Sequence, residues 1–182
     1  MKTLAMVGSL RKGSYNRLTL RAAMELKPAG MEIEDFDIAP IPSYNEDVRA
    51  QGFPPPVQAL RDKIQAADAL LFVTPEYNYS VPGVLKNAID WASRPPERVF
   101  SGKPAAIMGA SGGRLGTARA QYHLRQTGVF LDLHFINKPE VMISFAEKVF
   151  DASGHLTDEG ARKLIAELLV NLADWTRRLQ AK

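Results

Sequence analysis

Three short runs that are apolar throughout, each followed by a loop rich in Gly, Ser or Pro and then by a helical repeat, predict an α/β domain. In it a doubly wound five-stranded parallel sheet carries helices on both faces. Residues 4–7, 69–73 and 105–108 are the runs, and unbroken apolarity is what strands buried on both faces require. The loop at residues 8–16, set between a strand and a helix, is the third observation. Open sheets of this kind bind ligands outside the carboxyl ends of their strands, where the strand order reverses.

Taken in order, residues 4–7 form the first strand, which breaks at Gly8, and a helix begins near Asn16 with Leu18, Ala22 and Leu26 on one face. Residues 32–37 alternate as a short, partly exposed strand. Pro40, Pro42, Pro54, Pro55 and Pro56 make residues 40–56 an extended loop, and Pro55 opens a helix with Val57, Leu60, Ile64 and Ala67 at helical spacing. After the strand at residues 69–73, Pro75 keeps Thr74 extended, and residues 83–91 read as a helix with Val84, Leu85, Ala88 and Ile89 inward. Residues 105–108 are the next strand, 110–116 a Gly and Ser loop, and 117–126 a helix ended by Gly128. Residues 130–136 and 140–143 are strand-like around Asn137, Lys138 and Pro139. Residues 158–179, capped by Thr157 or Asp158, repeat Leu164, Ile165, Leu168, Leu169, Leu172, Trp175 and Leu179 as a long covering helix.

Composition narrows the chemistry. The length of 182 residues suits one domain, residues 1–182, with a sizeable core. There is no Cys, which excludes disulfides, thiolate zinc sites and a cysteine nucleophile, and fits a cytoplasmic setting. Lys2, Arg11, Lys12 and Arg17 stand among polar residues with no signal-peptide core, and no run approaches the ~20 apolar residues of a membrane span. The net charge of +3 comes from Lys and Arg scattered among acids, so neither a nucleic-acid nor a membrane partner is expected. His123, His134 and His155 lack partners at ligand spacing, so no metal is expected.

Three loops, at residues 8–16, 75–83 and 110–116, follow strands at the same sheet edge and converge on one crevice. The first is not a nucleoside triphosphate loop, because Ser14 and Tyr15 stand where a lysine and a magnesium-binding hydroxyl belong. Nor is it a dinucleotide fingerprint, since Leu10 replaces the middle glycine. Serines with a helix N-terminus suit a terminal monophosphate. The second loop offers Glu76, Tyr77, Asn78 and Tyr79, and the third Ser111, Gly112 and Gly113, against which a flat ligand can lie. A phosphate at one end and a planar polar ring at the other describe a nucleotide or flavin mononucleotide.

Other readings of these residues exist. Glu76 could be a general acid or base, although a structural or backbone role suits it better. Gly109, Ser111 and Gly113 spell Gly-x-Ser-x-Gly, for which Asp132 and His155 are formal triad partners, but a hydrolase has no use for the phosphate loop. Trp91 and Trp175 lie on apolar helix faces and read as core or interface.

Gly-Ser-Leu-Arg-Lys-Gly-Ser-Tyr-Asn at 8–16, Thr-Pro-Glu-Tyr-Asn-Tyr-Ser-Val-Pro-Gly at 74–83 and Leu-Lys-Asn-Ala-Ile-Asp-Trp at 85–91 resemble the NADPH-dependent FMN reductase family. Within it the chain is most similar to the bacterial chromate and quinone reductases. Ala-Gln-Tyr-His-Leu-Arg-Gln at 120–126 and Asn-Lys-Pro-Glu at 137–140 extend the resemblance over essentially the whole chain. It implies a flavodoxin-like fold, non-covalent FMN, and NADH or NADPH as co-substrate. It also implies acceptors among quinones, free flavin, ferric complexes, azo dyes and chromate, served by ping-pong exchange at one site. By position, Ser9, Arg11, Ser14, Tyr15 and Asn16 would hold the FMN phosphate. Glu76, Tyr77, Asn78 and Tyr79, following Pro75, would line the isoalloxazine largely through backbone groups, and Ser111, with Gly112 and Gly113, would lie beside the ring and ribityl chain. No side chain is expected to be catalytic, since the flavin carries the chemistry. The alternative is an electron carrier of flavodoxin type, against which the net charge of +3 counts, because such carriers are usually acidic.

Arg114, after Gly113 at the mouth of the crevice, could meet an NADPH 2′-phosphate, although the neighbouring glycines leave it unconstrained and a solvated loop arginine suits it better; a further expectation is assembly as a homodimer or a dimer of dimers (homotetramer). Assembly is motivated by the apolar stretch Ile89-Asp90-Trp91-Ala92 and by an Arg119 to Glu140 pair across a two-fold axis, beside Tyr122.

Overall fold

The computed structural model describes residues 1–181. Six strands, β1 (Lys2–Val7), β2 (Glu32–Phe36), β3 (Ala69–Val73), β4 (Pro104–Ala110), β5 (His134–Phe135) and β6 (Val141–Ile143), form one parallel sheet. Its order is β2-β1-β3-β4-β5, with β6 also paired to β4. From β1 the chain steps outward to β2 and then returns to the other side of β1 at β3, so the order reverses between β1 and β3.

Side chains alternate between two cores because strand residues point to opposite faces. Ala5, Val7, Leu71, Val73, Ala106 and Met108 pack beneath α1 (Tyr15–Leu26) and α6 (Glu159–Gln180), where Leu20, Ala23, Leu168 and Leu172 meet them. Leu4, Met6, Leu70, Phe72, Ala105 and Ile107 pack on the opposite face against α3 (Pro55–Ala66), α4 (Gly83–Ala92) and α5 (Ala118–Phe130). The doubly wound, flavodoxin-like arrangement is as expected. Exposed β2 closes one edge with charge: Arg17 bonds Asp35 at 2.7 Å and Lys63 bonds Glu34 at 2.7 Å, which blunts the edge against further pairing.

Several expectations are corrected. The segment 40–56 is not wholly extended, for Asn45 accepts a hydrogen bond from Asp47 N–H and caps a single-turn helix, α2 (Glu46–Arg49). Gly128 does not end α5, which runs on to Phe130. A Cβ at Gly128 would lie 2.2 Å from the Phe135 ring, so glycine there lets β5 pack on the helix. The strand expected at 130–136 is only β5, because α5 and its cap at Leu131 take up the earlier residues. β5 pairs with Pro104 and Ala105, and β6 with Met108, Gly109 and Ala110. They are one strand lane interrupted at 136–140, where Pro139 has no N–H to give a ladder.

The apolar stretch expected to drive assembly is core instead: Ile89, Trp91 and Ala92 are buried within the single chain, and Trp91 Nε1 donates to Pro42 O at 2.8 Å. Arg119 bonds Glu76, while Glu140 accepts from the Tyr122 hydroxyl at 2.7 Å, so both members of the expected two-fold pair have partners within the chain.

Candidate functional site

The loop after β1, residues 8–14, starts where Gly8 N–H donates to Val73 O, tying the end of β1 to that of β3. A Cβ on Gly8 would press on Leu85 and Pro75 at 3.2 Å, so glycine lets this loop lie close to the one after β3. Ser14 is the N-cap of α1; its hydroxyl accepts from Asn16 N–H at 3.2 Å and keeps its own hydrogen to donate. Ser9 is 4% exposed, and its hydroxyl has no partner among the described residues. The amides of Leu10, Arg11, Lys12 and Gly13 donate to no backbone carbonyl among those residues. Above them Arg11 is exposed, its guanidinium 5.5 Å from the centre of the Tyr15 ring, which stacks on Phe150 at 5.9 Å. Hydroxyls with a hydrogen to donate, amides without a backbone partner, a cation and the positive end of α1 share one short loop, a donor set that suits a phosphate monoester.

Asn16 stands in the same motif with a different task. Its amide donates to Ala110 O and accepts from Ala110 N–H, both at 2.9 Å, and is 97% buried, its residue being 3% exposed. This two-way bond fastens the first loop to the end of β4, where the third loop begins.

The loop after β3 is pinned at its root by Thr74 N–H on Met108 O at 3.0 Å and by buried Pro75. Beyond it Tyr77 and Ser80 exchange backbone hydrogen bonds at 3.1 and 3.0 Å, with Asn78 and Tyr79 at φ 50° and 64°. Two successive left-handed residues make the tight turn that ordinarily asks for Asn-Gly, here with a tyrosine in the glycine place. Tyr77 and Tyr79 are 50% and 64% exposed. Glu76 faces away from solvent, its carboxylate accepting from Arg119 N–H at 2.9 Å and Ala120 N–H at 3.1 Å. These bonds give the carboxylate a structural task at the start of α5.

In the third loop Ser111 Oγ accepts from Gly113 N–H at 3.0 Å. Cβ atoms on Gly112 and Gly113 would meet nothing closer than 3.4 Å, so packing within the chain does not require glycine at either position. Their bareness leaves an accessible strip of backbone, which fits a flat ligand laid against it. The triad reading fails on distance. Asp132 lies at the amino edge, where its carbonyl accepts from Gly102 N–H before β4 starts, while Ser111 follows the carboxyl end of that seven-residue strand, roughly 20 Å on. His155 is engaged with Asp151 and Ser153. No His or acidic cluster able to hold a metal occurs among the described residues.

One segment was invisible to pattern reading. Residues 144–148 cross the third loop: Ser144 Oγ donates to Arg114 O at 2.8 Å, Phe145 N–H to Gly113 O at 3.3 Å and Ala146 N–H to Ser111 O at 3.1 Å. Phe145 has φ 47° and is 43% exposed, an aromatic residue held left-handed at the rim of the crevice. With no period and no motif, only the Phe-Ala-Glu break after a short apolar run could have hinted at it. Arg114 is exposed at the same rim, with no side-chain hydrogen bond or ion pair among the described residues.

Known proteins match over this whole frame. The profile of the NADPH-dependent FMN reductase family matches residues 1–148. The chain is 66% identical over 180 residues to an NAD(P)H-dependent FMN reductase of Pseudomonas aeruginosa, covering 99% of this chain and 97% of that one. It is 52% identical over 188 residues to an NAD(P)H:quinone oxidoreductase of Solanum tuberosum, covering 100% and 96%. Among solved structures, the flavoenzyme NAD(P)H:(acceptor) oxidoreductase FerB of Paracoccus denitrificans superposes with a TM-score of 0.89 at 37% identity over 97% of each chain.

Proposed function

The chain belongs to the NADPH-dependent FMN reductase family, and we propose that its three-loop crevice holds FMN non-covalently for an NAD(P)H oxidoreductase that serves quinones, free flavins, ferric complexes or chromate. The observation that carries this is the convergence at the strand-order switch of a loop with unbonded phosphate donors, a strained loop with two exposed rings, and a bare glycine strip.

Bound FMN supplies the two-electron chemistry, taken from NADH or NADPH and given to the acceptor. Ser9, Arg11, Ser14 and the amides of residues 10–13 bind the phosphate end, with the Tyr15 ring beside Arg11. Asn16 orients, by holding the first loop against the third. Pro75, Glu76, Tyr77, Asn78 and Tyr79 present backbone N–H and C=O groups along one edge of the planar site, and Ser111, Gly112 and Gly113 along another. No side chain has to move a proton, which agrees with Glu76 being committed to a helix end. Because one open face serves both partners, nucleotide and acceptor exchange in turn.

No helix among the described residues is long and apolar enough to cross a membrane. The setting we propose is the cytoplasm, where reduced nicotinamide nucleotides are available. The assembly we propose is a homodimer or a dimer of dimers. Exposed Leu10, Tyr77, Tyr79, Leu115 and Phe145, on the three loops and the segment that crosses the third, support it, with exposed Tyr122 on α5. Initial rates with NADPH and a quinone varied together test the exchange: parallel reciprocal plots are expected, and intersecting ones would overturn a single shared site.

A further inference from the structure

Thr117, the N-cap of α5, makes no side-chain cap bond; its hydroxyl accepts from Gln121 Nε2 at 3.0 Å instead. The free amides of that first turn are served from another element. Glu76 Oε2 takes Arg119 N–H at 2.9 Å and Ala120 N–H at 3.1 Å, and its Oε1 takes Arg119 Nη1 at 3.0 Å. The Arg119 guanidinium in turn lies 3.5 Å from the centre of the Tyr79 ring. One turn further along the helix, His123 Nδ1 and Ser80 Oγ are 3.0 Å apart. Glu76, Tyr79 and Ser80 all belong to the strained loop, so the first two turns of α5 grip it at both ends of its turn.

Resting on the reading of the crevice as an FMN site, we propose that Glu76 and Arg119 are positioning residues. Together they dock the 76–80 loop on the N-terminus of α5 and hold Tyr79 in its left-handed conformation, thereby fixing the backbone groups that face the flavin ring. The physical basis is charge and geometry together. A carboxylate at a helix N-terminus meets both free N–H groups and the positive end of the dipole, and it is worth most when shielded, as here with the Glu76 side chain 10% exposed. A tyrosine at φ 64° is unfavourable by itself and persists only when its surroundings over-determine it. The guanidinium stacked on the ring, itself tied to the carboxylate, supplies that restraint. The two residues touch α5 and the loop and have no need to touch the reacting atoms.

The test uses the whole chain with and without FMN, in Glu76→Ala, Glu76→Gln, Arg119→Ala and, as a control remote from the crevice, Arg61→Ala. Arg61 is buried and bonds Ala92 O and Arg94 O, so its loss destabilises the fold elsewhere. In the flavin-free chain, hydrogen exchange at the Tyr77 and Ser80 amides should speed by about tenfold in Glu76→Ala and Arg119→Ala, the fold-change expected for one charge-assisted contact. It should do so by less in Glu76→Gln, which keeps an acceptor oxygen for the two helix amides. In the loaded chain, FMN affinity should fall by about tenfold in the two alanine variants, partly recovered in Gln, and should stay at the parental value in Arg61→Ala. Unchanged exchange in folded Arg119→Ala overturns the inference. So does a Gln variant no better than Ala, or a control that weakens FMN as much. Failure of the parent to bind FMN would refute the functional reading instead and leave the exchange measurement to decide this one.

Discussion

Arg11 stands exposed on a loop where Lys12 is the other cation, and in the proposed reading Arg11 is the one that meets the phosphate, so its loss separates charge from shape. Removing one charge-assisted contact weakens binding by about 1.5 to 3 kcal/mol, so Arg11→Ala should raise the FMN Kd by roughly tenfold to a hundredfold with little change in Tm. Titration by flavin fluorescence quenching measures it, and an unchanged Kd in a folded variant removes Arg11 from the site. Phe145 makes a complementary case. Its φ of 47° disfavours an aromatic residue, while Asn tolerates that conformation, and the ring is nearly half exposed. Phe145→Asn should therefore leave Tm at or above the parental value while lowering kcat/KM for a quinone. A clear drop in Tm would show that the ring is held for packing rather than for the crevice. For Arg114, whose side chain has no hydrogen bond or ion pair among the described residues, the NADPH to NADH ratio of kcat/KM in Arg114→Ala decides between a nucleotide contact, which changes the ratio, and a solvated loop arginine, which leaves it equal to the parent's. At this scale a strand-to-helix loop carrying Ser9, Arg11 and Ser14 was legible, because an apolar run, a glycine and an N-cap serine mark it locally. What was not legible is that the Asn16 side chain bonds Ala110, because a polar side chain in such a loop looks the same on paper whether it faces a ligand or a neighbouring strand end 94 residues away.

Elements are where pattern and structure part most. The run at residues 69–73 became β3 with the same bounds, and those at 4–7 and 105–108 became the somewhat longer β1 and β4, since burial on both faces leaves little room for polar residues. α2 was invisible because one helical turn cannot display a period. α5 was cut short because glycine at 128 signals a helix end locally, whereas its cause is tertiary: the Phe135 ring occupies the space a Cβ would need. That cause is testable. Gly128→Ala would favour the helix by propensity yet force the ring aside, and overpacking of this kind costs about 1 to 3 kcal/mol. Thermal unfolding should show a lower Tm; a higher one would mean propensity governs. Likewise Asn16→Leu should leave the N–H and C=O of Ala110 unpaired in a buried place, a loss on the order of 2 to 4 kcal/mol. It should also loosen FMN, because the first and third loops would no longer be fastened to each other.

Across the whole molecule, the strand order β2-β1-β3-β4-β5 places the carboxyl ends of β1, β3 and β4 side by side, which is why loops about 35 residues or more apart in sequence meet at one sheet edge. That much followed from apolar runs and connection rules, because a parallel sheet with helices on both faces admits few winding orders. Assembly did not follow. Ile89, Trp91 and Ala92 looked like a surface only while α3 and the segment carrying Pro42 were unplaced, and in the fold they are interior. Light scattering on the FMN-loaded chain should give a dimer or tetramer at micromolar concentration, and a monomer would leave the exposed rim to ligands alone. The measurement that bears most directly on the molecule's function is an anaerobic titration of the FMN-loaded chain with NADH and with NADPH, followed by addition of a quinone. The yellow flavin absorbance should bleach with about one equivalent of nucleotide and return when the quinone is added. A chain that holds FMN and stays yellow with both nucleotides would contradict an NAD(P)H oxidoreductase and identify an electron carrier.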